Sequence, residues 1–431
     1  MALRAHYVAA LALALGTALP AAAQQASPLD QPGLREYVTQ VLSRNAALAA
    51  ASSDLEAAVE RIRPAGALPD PILSFGMMSV PVPSFDFDEE AMTQLPVGLR
   101  QVFPFPGKQG ARTAVARGDS AVTALGIETT TAILAAEAAA AFFELAYAST
   151  ALEVWRHRVE LADQALRTAG TRYQTGQVPQ TDLLRAELRR ARLAEEGHRF
   201  AAEVEAAAAR ADAFRGGPGD SIRVPGLARP DSVVLQAALR DTLTAREQLT
   251  QILHASNPLL RQAAAHVDRA RASARVFAIA ARPDFAVGLQ TGIRFGGREP
   301  FLTAIVGISV PLWAGRKQSP AARASTLEVR SSEQRFDDLQ VRLEAALAAQ
   351  VASLTGLRER IEEVSERVLP LAEAASFSAL RSYGVGVVEL TAALETQDEL
   401  FQVELEFARL LSDYGAQRAA LSALLGEEWY R

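Results

Sequence analysis

The side chains of this sequence that can do acid–base or metal chemistry are not arranged for it. Apart from His6 near the start, the histidines are His157, His198, His254 and His266; all four lie on helix-like segments, and none pairs with another at the spacing that puts two ligands on one helix face. Met77 and Met78 offer two soft thioethers but read as strand residues, and Asp86, Asp88, Glu89 and Glu90 crowd a proline-flanked run that reads as an exposed loop. The pairs Glu195-Glu196 and Glu362-Glu363 read as solvated helix faces. No glycine-rich phosphate loop precedes a helix, and no nucleophile elbow occurs. The chain has no cysteine, which excludes disulfides, thiolate metal sites, cysteine nucleophiles and a lipid-modified N-terminal cysteine. The sequence therefore predicts no catalytic site, no cofactor and no metal centre, and the chain is not read as an enzyme.

What does recur is a tip. Tyr173, Gly176, Val178, Thr181 and Leu184 reappear as Tyr383, Gly386, Val388, Thr391 and Leu394, each 210 positions later. A repeat of that length over half a chain marks a duplicated architecture. Each copy lies between two long Ala/Leu/Glu/Arg-rich segments and supplies the glycine that a helix end needs where φ turns positive. Each is read as the turn of a helical hairpin, with tips at 173–182 and 383–391. Asp182 in the first tip and Glu389 in the second add carboxylates beside Tyr173, Gly176, Tyr383 and Gly386. Three copies around one axis would gather up to six such carboxylates at the tips, favouring cations or at least repelling anions.

The elements that must carry these tips are legible from periodicity. Residues 34–63 read as a helix stopped by Pro64, Pro69 and Pro71, and a strand hairpin follows over 72–103, from Ile72 to Val80 and from Leu95 to Phe103. From Gln109 to Tyr173 the pattern is helical without a proline; at 1.5 Å per residue it reaches about 100 Å. Leu145, Leu152, Val159, Leu166 and Tyr173 recur every seven residues, with Ala148, Trp155, Ala162 and Ala169 as the companion seam. That is coiled-coil spacing. A second helix runs from Thr181 to Phe214, and a Gly/Pro-rich connector over 217–233, with Pro218, Pro225 and Pro230, ends the first half (24–216).

The second half (234–431) repeats the series. Asn257-Pro258-Leu259-Leu260 echoes Asn45-Ala46-Ala47-Leu48, and Pro283-Asp284 echoes Pro69-Asp70. A strand hairpin over 285–310 alternates apolar with small or polar residues. The junction Pro311-Leu312-Trp313-Ala314-Gly315-Arg316-Lys317 matches Phe105 to Lys108; Trp313 and Phe105 suit either an aromatic girdle or a packed strand-to-helix corner. A long helix to Arg381 follows, with seams Leu347, Leu354, Ile361, Val368 and Leu357, Val364, Leu371 and an expected kink at Pro370. The last helix runs from Glu389 to Leu425.

With 44 basic and 50 acidic side chains there is no nucleic-acid footprint, and sparse aromatics with abundant Ala suit closely packed long helices. Residues 1–23, with Arg4, a short apolar run and Ala21-Ala22-Ala23, read as a cleaved export signal. No other segment reads as long enough to cross a bilayer as a helix.

Strands of about ten residues suit an outer membrane, yet four of them leave two open edges, and each unpaired backbone group in hydrocarbon costs several kcal/mol. Three copies close twelve strands around an aqueous lumen. The fold class is therefore mainly α with a small β part: a long antiparallel coiled-coil α-barrel continuing a 12-stranded β-barrel completed as a homotrimer in outer-membrane lipid, with a two-fold internal repeat in each chain.

Signal, strand hairpin, helical hairpin, connector and the same series again resemble the TolC family of outer-membrane efflux channels over essentially the whole mature chain. The resemblance implies an exit duct of a tripartite pump, working with a periplasmic adaptor and an inner-membrane transporter of the RND type. It also implies that the Tyr-x-x-Gly-x-x-x-x-x-Asp-type turns, here Tyr173, Gly176 and Asp182, with Tyr383 and Gly386 in the second copy, are the periplasmic tips where the duct constricts and the adaptor docks. Members gated by charged links carry Arg and Asp where this chain has Val388 and Ala392, which leaves a Tyr383–Asp182 contact and Glu389 as the substitutes. Met92-Thr93-Gln94 with Phe103-Pro104-Phe105-Pro106-Gly107-Lys108 also resembles the heavy-metal efflux branch. The competing reading is a soluble periplasmic coiled-coil adaptor or tether.

Overall fold

The structure is a computed structural model that describes residues 27–431 apart from 83, 218, 220, 221, 223, 225, 228–231 and 241–244. The export signal, 1–23, and the connector prolines Pro218, Pro225 and Pro230 lie outside the described residues.

The helix expected over 34–63 is three: α1 (Leu34–Arg44), α2 (Ala46–Glu60) and α3 (Ile62–Ala65). Asn45 breaks it by leaving helical ψ, and its side-chain oxygen accepts from the backbone N–H groups of Ala47 (2.9 Å) and Leu48 (3.3 Å). An Asn that caps the helix after it ends the helix before it. Strand β1 (Ile72–Phe75) is shorter than the expected 72–80, although Gly76 and Met78 still donate to Pro96 and Gln94 before Ser79 (φ 56°) turns the chain away. Strand β2 (Leu95–Phe103) leads into α4 (Lys108–Gln174), 67 residues or about 100 Å long, and the first tip returns the chain through α5 (Gln180–Phe214).

In the second half α6 (Val233–Arg240) packs on the core, and Asn257 between α7 (Arg246–Ser256) and α8 (Pro258–Ala278) repeats the capping of Asn45, accepting from Leu260 N–H at 2.7 Å. Strands β3 (Phe285–Ile293) and β4 (Phe301–Ile308) follow. The long helix expected to Arg381 is interrupted: α9 (Gln318–Glu363) ends in a π-helical turn, Val364–Val368, before α10 (Leu369–Gly384). The turn lies where Pro370, lacking an N–H, would otherwise break the ladder. It adds residues to one turn and so rotates everything after it. Leu347, Leu354, Ile361 and Val364 are buried, whereas Val368 and Leu371, expected on the same seams, are exposed, Leu371 by 70%. The second tip leads into α11 (Leu390–Leu425).

One stretch of α4 is, against expectation, apolar enough to span a bilayer by composition, but half of it is buried within the protein. Ala135, Ala138, Ala139, Phe142 and Phe143 lie there against Leu411 and Tyr414 of α11 and Tyr37 and Val38 of α1 in the main core. The apolarity is that of a packed bundle.

The four strands form one antiparallel sheet in the order β1-β2-β3-β4, so the two halves of the chain join through β2 and β3, with Leu99 opposite Leu289 and Arg100 opposite Gly288. The register places Leu73, Phe75, Val97, Leu99, Phe103, Phe285, Val287, Leu289, Ile293, Leu302, Val306 and Ile308 on one face. That face is largely exposed, Val306 by 79%, and apolar but for Gln101 and Thr291, the signature of a wall meant for lipid. Ser74, Gly98, Arg100, Ala286, Gly288, Gln290, Thr303 and Gly307 share the other face. Trp313, 70% exposed, lies beyond β4, whereas Phe105 is packed at the strand-to-helix corner under the Arg282 guanidinium, 5.6 Å from its ring centre.

Helix adjacency follows the sheet. Nearest the sheet the order is α2-α4-α8-α9, and towards the tips it is α5-α4-α11-α10. Each protomer is thus a tile with β1, α2 and α5 open along one side and β4, α9 and α10 along the other. Exposed apolar residues mark both: Leu184 and Leu188 on α5, and Leu327, Leu371 and Phe377 on α9 and α10. Where sheet and helices meet, the halves are tied by Lys108, whose Nζ donates to Asp284 Oδ1 (2.8 Å) and to the Arg282 carbonyl (2.6 Å); Phe105 N–H also donates to Asp284 (2.8 Å).

Candidate functional site at the helical tips

Both hairpin tips close by the same backbone pattern. Gly176 (φ 67°) donates to Tyr173 C=O and Gln177 to Arg172 C=O; Gly386 (φ 82°) donates to Tyr383 C=O and Val387 to Ser382 C=O. The bond reaching back five residues needs a left-handed residue inside it, which is why glycine recurs there. Pro179 and Glu389, both extended, then start α5 and α11.

The side chains break this symmetry. Tyr383 is 1% exposed, its ring seated among Ala169, Ala186, Leu390 and Ala393, while Tyr173 is 40% exposed. The small residues of α4 and α5 leave the space that the Tyr383 ring fills. Arg172 seals it: its guanidinium lies 5.0 Å from the Tyr383 ring centre, and Nη1 donates to the Tyr383 carbonyl at 2.6 Å. The second copy carries Ser382 where the first carries Arg172, so nothing equivalent covers Tyr173. Burial pushes the Tyr383 hydroxyl above its ordinary pKa, the Asp182 carboxylate adds to that, and Arg172 opposes it. Asp182 is half-buried in the first turn of α5 and acts on Tyr383 through space, since the buried hydroxyl makes no well-formed hydrogen bond. Glu389 is exposed and makes no side-chain cap. A second link joins the tips, Arg185 Nη1 donating to Thr391 Oγ1 at 3.2 Å.

The structure thus brings Asp182, Tyr383 and Gly386 together, with Gly386 so close that a Cβ on it would stand 2.9 Å from Arg172 Nη2. Tyr173 and Glu389 stay apart from that cluster. Sequence reading missed Arg172 and Arg185. The available signal was a departure from the repeat, Arg172 standing opposite Ser382 in otherwise matched copies.

The family model for the outer membrane efflux protein matches residues 37–210 and 249–427, which takes in both halves and both tips. This chain belongs to the outer membrane efflux protein family. Solved structures give the same fold: CusC (TM-score 0.78, 16% identity, 93% of this chain and 94% of that one), OprN (0.74, 17%, 94% and 92%) and VceC from Vibrio cholerae (0.73, 18%, 93% and 97%). No curated protein sequence matches the chain. As an outer membrane efflux protein it is an outer-membrane channel, the exit duct of a tripartite pump, and the soluble-adaptor reading is set aside. Family and fold are those of channels rather than enzymes, and of trimers that act with other pump components. The open sides of the tile are the edges that such a trimer closes.

Proposed function

We propose that the two tips of each protomer form the constriction of this duct and the seat of a periplasmic adaptor, with an RND-type inner-membrane transporter behind it. Tyr383, Gly386 and Asp182 act together with Arg172 as a clasp between the two hairpins of one protomer, and Tyr173 faces the neighbouring copy across the open side of α5. Asp182 and Glu389 supply the negative rim. The observation that carries this reading is the Arg172–Tyr383 contact, which joins residues 211 positions apart at the end of a helix about 100 Å long. The tips divide the chain functionally as well, 24–216 and 234–431 each contributing one, with 217–233 as the equatorial connector.

Phe105 and Lys108, which carry the resemblance to the heavy-metal branch, serve the Asp284 junction, and Gln94 bonds Met78 Sδ at 3.2 Å. Charges along the duct therefore bear on the cargo more directly. Asp182→Ala is expected to raise single-channel conductance in planar bilayers and to admit large antibiotics into whole cells. Unchanged conductance together with unchanged antibiotic entry overturns the constriction assignment.

A further inference from the structure

Across β1 to β4 there is one charged side chain, Arg100. It lies on the face that carries most of the small and polar residues, between Ile72 and Gly288, in line with Ser74, Gly98 and Gln290 two positions away, and no carboxylate among the described residues pairs with it. Placed towards lipid, an arginine would cost about 2–4 kcal/mol at mid-depth. Its face is therefore the lumen. Phe103, three residues on, leads to α4, so Arg100 stands near the periplasmic end of the barrel. In a trimer three guanidinium groups share one height on strands that carry no other charge; the nearest carboxylates, Asp70 and Asp284, lie before the starts of β1 and β3, and Asp284 is paired with Lys108.

We propose that this ring makes the membrane section of the duct favour anions, so that the cargo is neutral or bears carboxylate, sulfonate or phosphate groups rather than being a bare cation. The proposal rests on the trimeric-duct reading. Guanidinium pairs with such oxyanions in a fixed fork, and charge rings set the sign of pore selectivity. Screening extends over about 10 Å at 0.1 M salt, so the effect is largest in dilute electrolyte. The tip rim, with Asp182, has the opposite sign and lies in series with it.

The test is the reversal potential in a dilute KCl gradient, in wild-type protein and in R172A, in which the contact between the tips is broken. R100E is expected to lower the chloride-to-potassium permeability ratio by about threefold or more. Because the chain lacks cysteine, R100C can be labelled uniquely; a cationic methanethiosulfonate should restore the wild-type ratio and an anionic one should reproduce R100E. Equal ratios for wild type and R100E in both backgrounds overturn the proposal. A wild type that forms no channel overturns the duct reading and this inference with it.

A separate observation concerns ring closure. Lys108-Gln109 and Pro283-Asp284 meet across the β2–β3 seam. Their counterparts in the repeat, Lys317-Gln318 after β4 and Pro69-Asp70 before β1, stand on the two open sides; Lys317 and Asp70 are exposed and have no ion pair among the described residues. We infer that Lys317 pairs with Asp70 of the partner subunit, so that six equivalent ties, alternately within and between copies, girdle the junction of sheet and helices. D70C/K317C should yield covalent trimers with a short thiol-reactive crosslinker, and neither single variant should. K317D or D70K alone should lower the temperature at which trimers dissociate in detergent, and the reversed pair should recover it. No crosslinked trimer and no recovery overturn the inference.

Discussion

Arg172→Ala opens the periplasmic end, seen as a several-fold rise in single-channel conductance and as entry of large antibiotics that the intact outer membrane excludes. The reason is the number of interactions that one side chain makes. Arg172 donates a charge-assisted hydrogen bond to the Tyr383 carbonyl and covers the Tyr383 ring. Such a bond is worth about 1.5–3 kcal/mol and a partly desolvated cation–π contact about 1 kcal/mol. Losing about 3 kcal/mol in each protomer shifts a closed-to-open equilibrium by roughly a hundredfold. Beyond that clasp the second tip is held to the first by the burial of the Tyr383 ring among Ala169 and Ala186 and by the single Arg185–Thr391 hydrogen bond, while Val385 and Val387 are more than 75% exposed. Arg172→Lys keeps the charge without the planar fork and should fall between wild type and alanine. Gly386→Ala should open the tip without changing any charge, because its methyl group would stand 2.9 Å from Arg172 Nη2 in a backbone conformation that already disfavours a side chain. A wild-type conductance for R172A would show that the clasp does not hold the aperture.

Asp398→Ala is expected to lower the thermal stability of the helical tube by about 3 kcal/mol, read from the midpoint of the far-ultraviolet circular dichroism transition. Midway along the hairpins Asp398 of α11 pairs with Arg158 of α4 and with Arg189 of α5, and Arg158 also reaches Glu196 at 3.3 Å. The Arg158 side chain is only 9% exposed, and its guanidinium stacks 4.0 Å from the Phe401 ring centre. Burial lowers its pKa, and Glu196 raises it in opposition. Removing Asp398 leaves two buried or half-buried arginines facing each other with one carboxylate between them. Two largely buried arginines sharing the one carboxylate of Glu196 cost more than an exposed pair contributes. Asp338→Ala, which removes only the exposed partner of Arg342, is the control and should leave the midpoint unmoved. Equal melting of D398A and D338A would remove this knot from the account of stability. Trp155 adds to the same level, its Nε1 donating to the Leu193 carbonyl at 3.0 Å and its ring packed so closely on Gly197 that a Cβ there would clash with it.

These two sites differ in how far the sequence announces them. Heptad spacing names Ala162, Ala169 and Trp155 as seam positions, and all three do face neighbouring helices. Nothing in that spacing says that Arg158, which interrupts an otherwise aliphatic face, is covered by α5 and α11 at once. A charged residue in a helical pattern reads as solvated until its neighbours are known.

The sequence by itself determined the duplicated architecture, the helical hairpins and their glycine-bearing tips, the two strand hairpins and the need for further copies. All of these follow from local rules: a period of seven, a period of two, prolines that stop helices and glycines that end them. Tertiary structure alone decided what depends on residues far apart. It set β2 beside β3, made Asn45 and Asn257 breaks as well as caps, and turned Val368 and Leu371 outward through the π-turn. It also buried Tyr383 under Arg172 while leaving its twin Tyr173 exposed. Periodicity fixes a side chain's phase on its own element, but burial and partner come from packing between elements, and two copies of one motif diverge once a single neighbour differs.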